Sequence, residues 1–151
     1  MPDATEIDRA PFGHLRYGKE YGAEYWRGSI KLPGFEKVFS LIVRAGRGGP
    51  SQRQAAAMIA IVANASHLRQ QATPAMAELH REAGLPVSDG EAEGKDVWST
   101  LQPEEIEVSD ESYYGDGRIF VGIIFGSTLE PDFAPAIETA DGSFVQVLPG
   151  T

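Results

Sequence analysis

The sequence predicts an α+β fold: an antiparallel sheet of about six strands with one long or kinked helix packed on one face. Three stretches carry that expectation. Residues 24–32 alternate with period two, placing Trp26, Gly28, Ile30 and Leu32 on one side and Tyr25, Arg27, Ser29 and Lys31 on the other, the pattern of a half-buried strand. Residues 51–69 repeat apolar side chains at helical spacing, through Ala55, Met58, Ile59, Ile61, Val62, Ala65 and Leu68. Residues 118–125 form the most hydrophobic run, with Ile119, Val121, Ile123 and Phe125 opposite Phe120 and Ile124, the composition of a central strand. Strands, then a helix, then strands is the order of an α+β domain.

The chain of 151 residues suits a single domain spanning residues 1–151. Residues 1–10 lack periodicity and read as a loose end. A short strand follows at residues 12–17, and the Gly/Tyr-rich passage from Tyr17 to Tyr25 reads as a turn region. After the strand at 24–32, Pro33-Gly34 has the chemistry of a type II turn, because proline presets a negative φ and glycine accepts the positive φ after it. Residues 37–45 supply the return strand. The glycine-rich connector at 46–50 reads as a sharp turn, since it matches neither phosphate-binding glycine motif. Ser51 and Gln54 form a capping box at the helix start. The stripe continues through Met76, Leu79 and Ala83 until Gly84 and Pro86 end it. Thr73-Pro74 leaves both one kinked helix and two helices open.

Residues 85–97 read as a mobile acidic loop, with Trp98 and Leu101 tucking back onto the core. Residues 105–109 alternate, with Ile106 and Val108 inward. Tyr113 to Gly117 read as a loop. Residues 136–140 and 144–148 flank Asp141-Gly142, whose chemistry suits a type I′ hairpin turn.

The charge is unevenly placed. The net charge is −9, and residues 85–117 carry ten acids against one base, Lys95, so that stretch accounts for the whole excess. Phosphate binding needs clustered Lys and Arg, so nucleic acid is not an expected partner. A basic protein is. The residues expected to meet it are Glu104, Glu105, Glu107, Asp110, Glu111, Tyr113, Tyr114 and Asp116. No cysteine is present, which removes disulfides and thiolate chemistry. No apolar run approaches the roughly 20 residues that span a bilayer. The first ten residues lack the apolar segment of a secretory signal, so the expected location is cytoplasmic.

His14, His67 and His80 stand in no metal-binding or nucleophilic motif. No catalytic residue, metal site or cofactor is expected. Two other classes stay open: a small hydrolase or ligand-binding enzyme using carboxylates on the open face of the sheet, and a structural component that pairs through an edge strand.

Several turn and core residues together resemble a known family. They are Trp26-x-Gly28-x-Ile30 with Leu32-Pro33-Gly34-Phe35, Pro50 followed by Gln52 and Gln54, then Pro131-Asp132 and Asp141-Gly142. In this order, over residues 24–148, the chain resembles a family of small bacterial domains of unknown function, some of which occur beside polymorphic-toxin immunity proteins. The resemblance implies a binding or immunity role without an established enzyme activity. The sequence departs from the family at Asp132-Phe133-Ala134, where the aspartate is often followed by Glu-His, so no site is carried over there.

Overall fold

The computed structural model describes residues 5–35, 37–86 and 97–149. Eight strands form one sheet in chain order: β1 (Glu6–Arg9), β2 (Gly13–Glu20), β3 (Ala23–Ile30), β4 (Phe39–Val43), β5 (Leu101–Val108), β6 (Phe120–Ser127), β7 (Ala136–Ala140) and β8 (Ser143–Leu148). One helix, α1 (Gln52–Glu82), joins β4 to β5. The expected α+β class holds, with eight strands in place of about six.

The first third of the chain holds more strand than its pattern shows. Residues 6–9, read as part of a loose end, pair with β2 from Glu6↔Arg16 to Arg9↔Gly13. β2 also runs on through Gly18 and Lys19, so the tyrosine-rich passage shrinks to a two-residue turn at Tyr21 and Gly22, both with positive φ. Leu32-Pro33-Gly34-Phe35 does form the expected turn, closed by Phe35 N–H to Leu32 C=O at 3.2 Å with Gly34 at φ +88°.

The expectation of a wholly antiparallel sheet fails at one seam. β4 and β5 run parallel, from Ser40↔Glu105 to Val43↔Val108. Parallel neighbours need a long crossover, and the 31-residue helix supplies it. A buried side chain closes this seam. Gln54, 2% exposed, accepts from Ser51 N–H at 2.9 Å and donates to Arg44 C=O at 2.8 Å and Ser109 C=O at 2.7 Å. The capping-box residue therefore also ties the ends of β4 and β5 to the first turn of the helix.

The helix is continuous across Pro74 and departs from helical geometry at Asn64 (φ −114°, ψ 16°), whose side-chain amide bonds Ala60 C=O at 3.0 Å. Its buried stripe is Ala57, Met58, Ile61, Ala65, Leu68, Ala72 and Met76. Ile59 was expected there but is 57% exposed, because a period of 3.6 residues turns it well away from Met58 and Ile61. The end is a Schellman cap: Gly84 takes φ +75°, its N–H bonds Arg81 C=O, and Leu85 N–H bonds His80 C=O. Of the segment read as a mobile acidic loop, 87–96 lie outside the described residues. Leu85 belongs to the helix cap, and Val97 is buried in a short 3-10 turn (Val97–Thr100).

The core lies between this stripe and the inward faces of the strands, with Trp26, Leu41, Ile106, Val121, Ile123 and Ile137 all 0–1% exposed. At the Asp141-Gly142 turn both residues have positive φ, as a type I′ turn requires. A Cβ on Gly142 would stand 2.4 Å from Ala60 Cβ, so glycine also lets this turn touch the helix. Among the described residues, no helix is long and apolar enough to cross a membrane.

Candidate functional site

The helix covers one face of the sheet, and strand alternation assigns the other. Ile106 and Val108 are buried toward the helix, so Glu105 and Glu107 point to the opposite, open face. A bulge between Pro103 and Glu105 adds Glu104 to that face. Its carboxylate lies over Gly126, where a Cβ would stand 2.3 Å from Oε1. Three carboxylates thus follow one another along β5.

Their neighbours are basic on one side. Glu107 pairs with Ile42 of β4 and, beyond it, Arg27 of β3. Arg44 Nε donates to Glu107 Oε1 at 3.3 Å. Burial pushes the Glu105 carboxyl above the usual carboxylate range, Glu107 and then Glu104 add to the effect, and Arg27 and Arg44 oppose it. The ionised stripe is therefore crowded as well as partly desolvated.

Beyond β6 the face is aromatic. Phe120 alternates with the buried Ile119 and Val121, and the tip of its ring occupies the space a side chain on Gly122 would need. Tyr113 stacks on Phe120 with centroids 4.2 Å apart and stays 54% exposed. The Tyr114 hydroxyl donates to Glu138 Oε2, and Gln146 Nε2 donates to Glu138 Oε1 at 2.9 Å. Burial, and then the bond to Glu138, push the Tyr114 hydroxyl well above the ordinary tyrosine value. Glu138 is only 7% exposed, so this pair of donors is what lets a carboxylate sit in the sheet. The Arg118 guanidinium lies 4.6 Å above the Tyr114 ring.

Of the eight residues expected to meet a partner, five share this face: Glu104, Glu105, Glu107, Tyr113 and Tyr114. The other three do not join them. Asp110 accepts from Ser112 side chain and backbone, which holds its carboxyl below the usual range. Glu111 reaches the Ser51 hydroxyl at 3.4 Å, at the mouth of the helix. Asp116 accepts from Arg118 N–H at 3.1 Å and Arg118 Nε at 2.9 Å, and its carboxyl is likewise lowered. Asp110 and Asp116 staple their own loop.

The histidines divide three ways. His67 is exposed on the helix. His80 is fully buried, bonds Met76 C=O through Nδ1 at 2.8 Å and stands edge-on to Phe133. His14 lies between Glu6 at 3.0 Å and Asp8 at 3.2 Å, with 58% of its side chain exposed. Hydrogen bonds to Glu6 and then Asp8, which accept from the protonated ring, raise its proton affinity. The enzyme alternative requires such a group inside a pocket, and this one stands exposed on β2, beside the edge strand β1. Among the described residues, no three His, Asp or Glu side chains are placed to hold a metal ion.

No known family model, curated protein or solved structure matches the chain.

Proposed function

We propose that the protein is a non-catalytic binding protein whose open sheet face receives a basic protein partner. The observation that carries this reading is the run of Glu104, Glu105 and Glu107 along β5, with the exposed Tyr113 ring on the same face. Three adjacent carboxylates attract a cationic surface and steer its approach, while an aromatic side chain adds contact area at low entropic cost. The family resemblance extends the reading to immunity, in which the partner is a basic toxin that this face masks.

The immobilised chain, exposed to a lysate of its own cells, should retain basic proteins at low salt and release them as salt rises. A variant with Glu104→Gln, Glu105→Gln and Glu107→Gln should lose them. Retention of only acidic or neutral proteins, or equal retention by the variant, would remove the basis for the reading.

A further inference from the structure

On the open face, Gly122 of β6 pairs with Glu107 of β5 on one side and with Glu138 of β7 on the other. Directly opposed side-chain positions in such pairs stand about 5 Å apart. The tip of the Phe120 ring fills the space above Gly122, 2.7 Å from where a Cβ would stand. Tyr113 lies on Phe120, its ring 16° from parallel and its centroid 4.2 Å away. This two-ring stack therefore stands beside Glu107. Glu138 is occupied by Tyr114 and Gln146 and is only 7% exposed. Glu107 keeps 34% of its side chain exposed, and Arg44 bonds one of its oxygens, Oε1, at 3.3 Å.

The outer side of the stack is open. Phe120 covers one face of Tyr113, yet Tyr113 stays 54% exposed. Tyr114 stands beside the stack: its centroid is 5.0 Å from Tyr113 and 6.4 Å from Phe120, and a ring capping Tyr113 would lie much farther from Phe120 than that. Other tyrosines of the chain show what such a ring accepts. Arg27 lies over Tyr25 at 5.4 Å, Arg47 over Tyr17 at 4.3 Å and Arg118 over Tyr114 at 4.6 Å. Among the described residues, no arginine or lysine lies over Tyr113.

We propose that Tyr113 and Glu107 together receive an arginine side chain of the basic partner. The inference rests on the reading of the acidic face and narrows it from a cationic surface to a guanidinium. A guanidinium is flat, so it stacks on the outer face of Tyr113 while its in-plane N–H groups donate to the carboxylate alongside. An ammonium is a compact, strongly hydrated charge that gains from the carboxylates and less from the ring. Glu104 and Glu105, farther along β5, attract either cation, and Tyr113 supplies the preference.

Capped tetra-arginine and tetra-lysine peptides, equal in charge, test it on the full chain at low salt, with binding followed at the backbone amide of residue 113 in ¹H–¹⁵N spectra. The arginine peptide should bind about three- to fivefold more tightly than the lysine peptide. Tyr113→Leu should erase that preference and Tyr113→Phe should keep it; Tyr113 is exposed on a loop, so neither change threatens the fold. Glu107→Gln should weaken the arginine peptide at least about threefold. No binding of either peptide, a preference that survives Tyr113→Leu or is lost in Tyr113→Phe, or an arginine affinity unchanged by Glu107→Gln would overturn the proposal. Equal affinities that both fall in the Glu104→Gln, Glu105→Gln, Glu107→Gln variant would overturn it and leave the acidic-face reading in place. Affinities for both peptides unchanged in that variant would remove the acidic-face reading and the proposal with it.

Discussion

Gln54 shows how much one side chain does in this molecule. Three hydrogen bonds converge on it in a site 2% exposed. Gln54→Ala leaves Arg44 C=O and Ser109 C=O without that donor, and the expected loss is about 2–3 kcal/mol of stability, read by denaturant unfolding. Glu105 should behave in the opposite sense. Its folded-state proton affinity is raised, so ionisation at neutral pH opposes folding, and that cost disappears as the pH falls below the ordinary carboxylate range. Glu105→Gln should therefore raise stability by roughly a few tenths of a kcal/mol while weakening partner binding, a trade expected of a group kept for function. Unfolding curves and the retention assay on the same variant separate the two effects. The capping role of Gln54 was legible because Ser51 and Gln54 stand in sequence. Its second role was hidden, because Arg44 and Ser109 come together only through the parallel seam.

Among the elements, β1 is the one that local pattern concealed. Glu6-Ile7-Asp8-Arg9 offers a single apolar residue, and its place in the sheet depends on pairing with β2. His14 on β2 reinforces that pairing through Glu6 and Asp8. Its proton affinity is raised above the ordinary value of 6.5, so the stabilisation is full below pH 6.5 and is lost as pH rises through the raised value. Glu6 works in the other direction: its carboxyl, held down first by the His14 bond, contributes above 4.5 and is lost as pH falls through the lowered value. β1 should be most firmly docked between pH 4.5 and 6.5. Amide exchange of residues 6–9, corrected for intrinsic rates, should be slowest there, and His14→Gln should flatten the dependence above pH 6.5. A profile unchanged by that substitution would assign the docking to backbone pairing alone. The β7–β8 hairpin, by contrast, was readable from Asp141-Gly142. What could not be read was the contact with Ala60; Gly142→Ala should cost about 2–4 kcal/mol through that clash and the positive φ.

At the scale of the whole molecule, the open face is divided by charge. Arg27 and Arg44 lie on β3 and at the end of β4, the three glutamates follow on β5, and aromatic rings cover β6 and β7. The acidic excess was plain in the sequence, and so was the alternation that turns Glu105 and Glu107 outward. The bulge that adds Glu104, and the loop contacts that occupy Asp110 and Asp116, depend on register and turn geometry and were not. The edges of the sheet offer little to a pairing strand. β1 carries charge at Glu6, Asp8 and Arg9, and β8 has a register shift that leaves Val145 out of the ladder.

The proposed binding depends on where the acids stand, beyond how many there are. The most direct measurement compares two variants of equal charge against the basic protein that the wild type retains. One carries Glu104→Gln, Glu105→Gln and Glu107→Gln; the other carries Asp110→Asn, Glu111→Gln and Asp116→Asn. The first should lose at least about tenfold in affinity, and the second should stay within about threefold of the wild type. Equal losses in both would show that overall charge alone drives the association and would contradict the assignment of a binding face to β5.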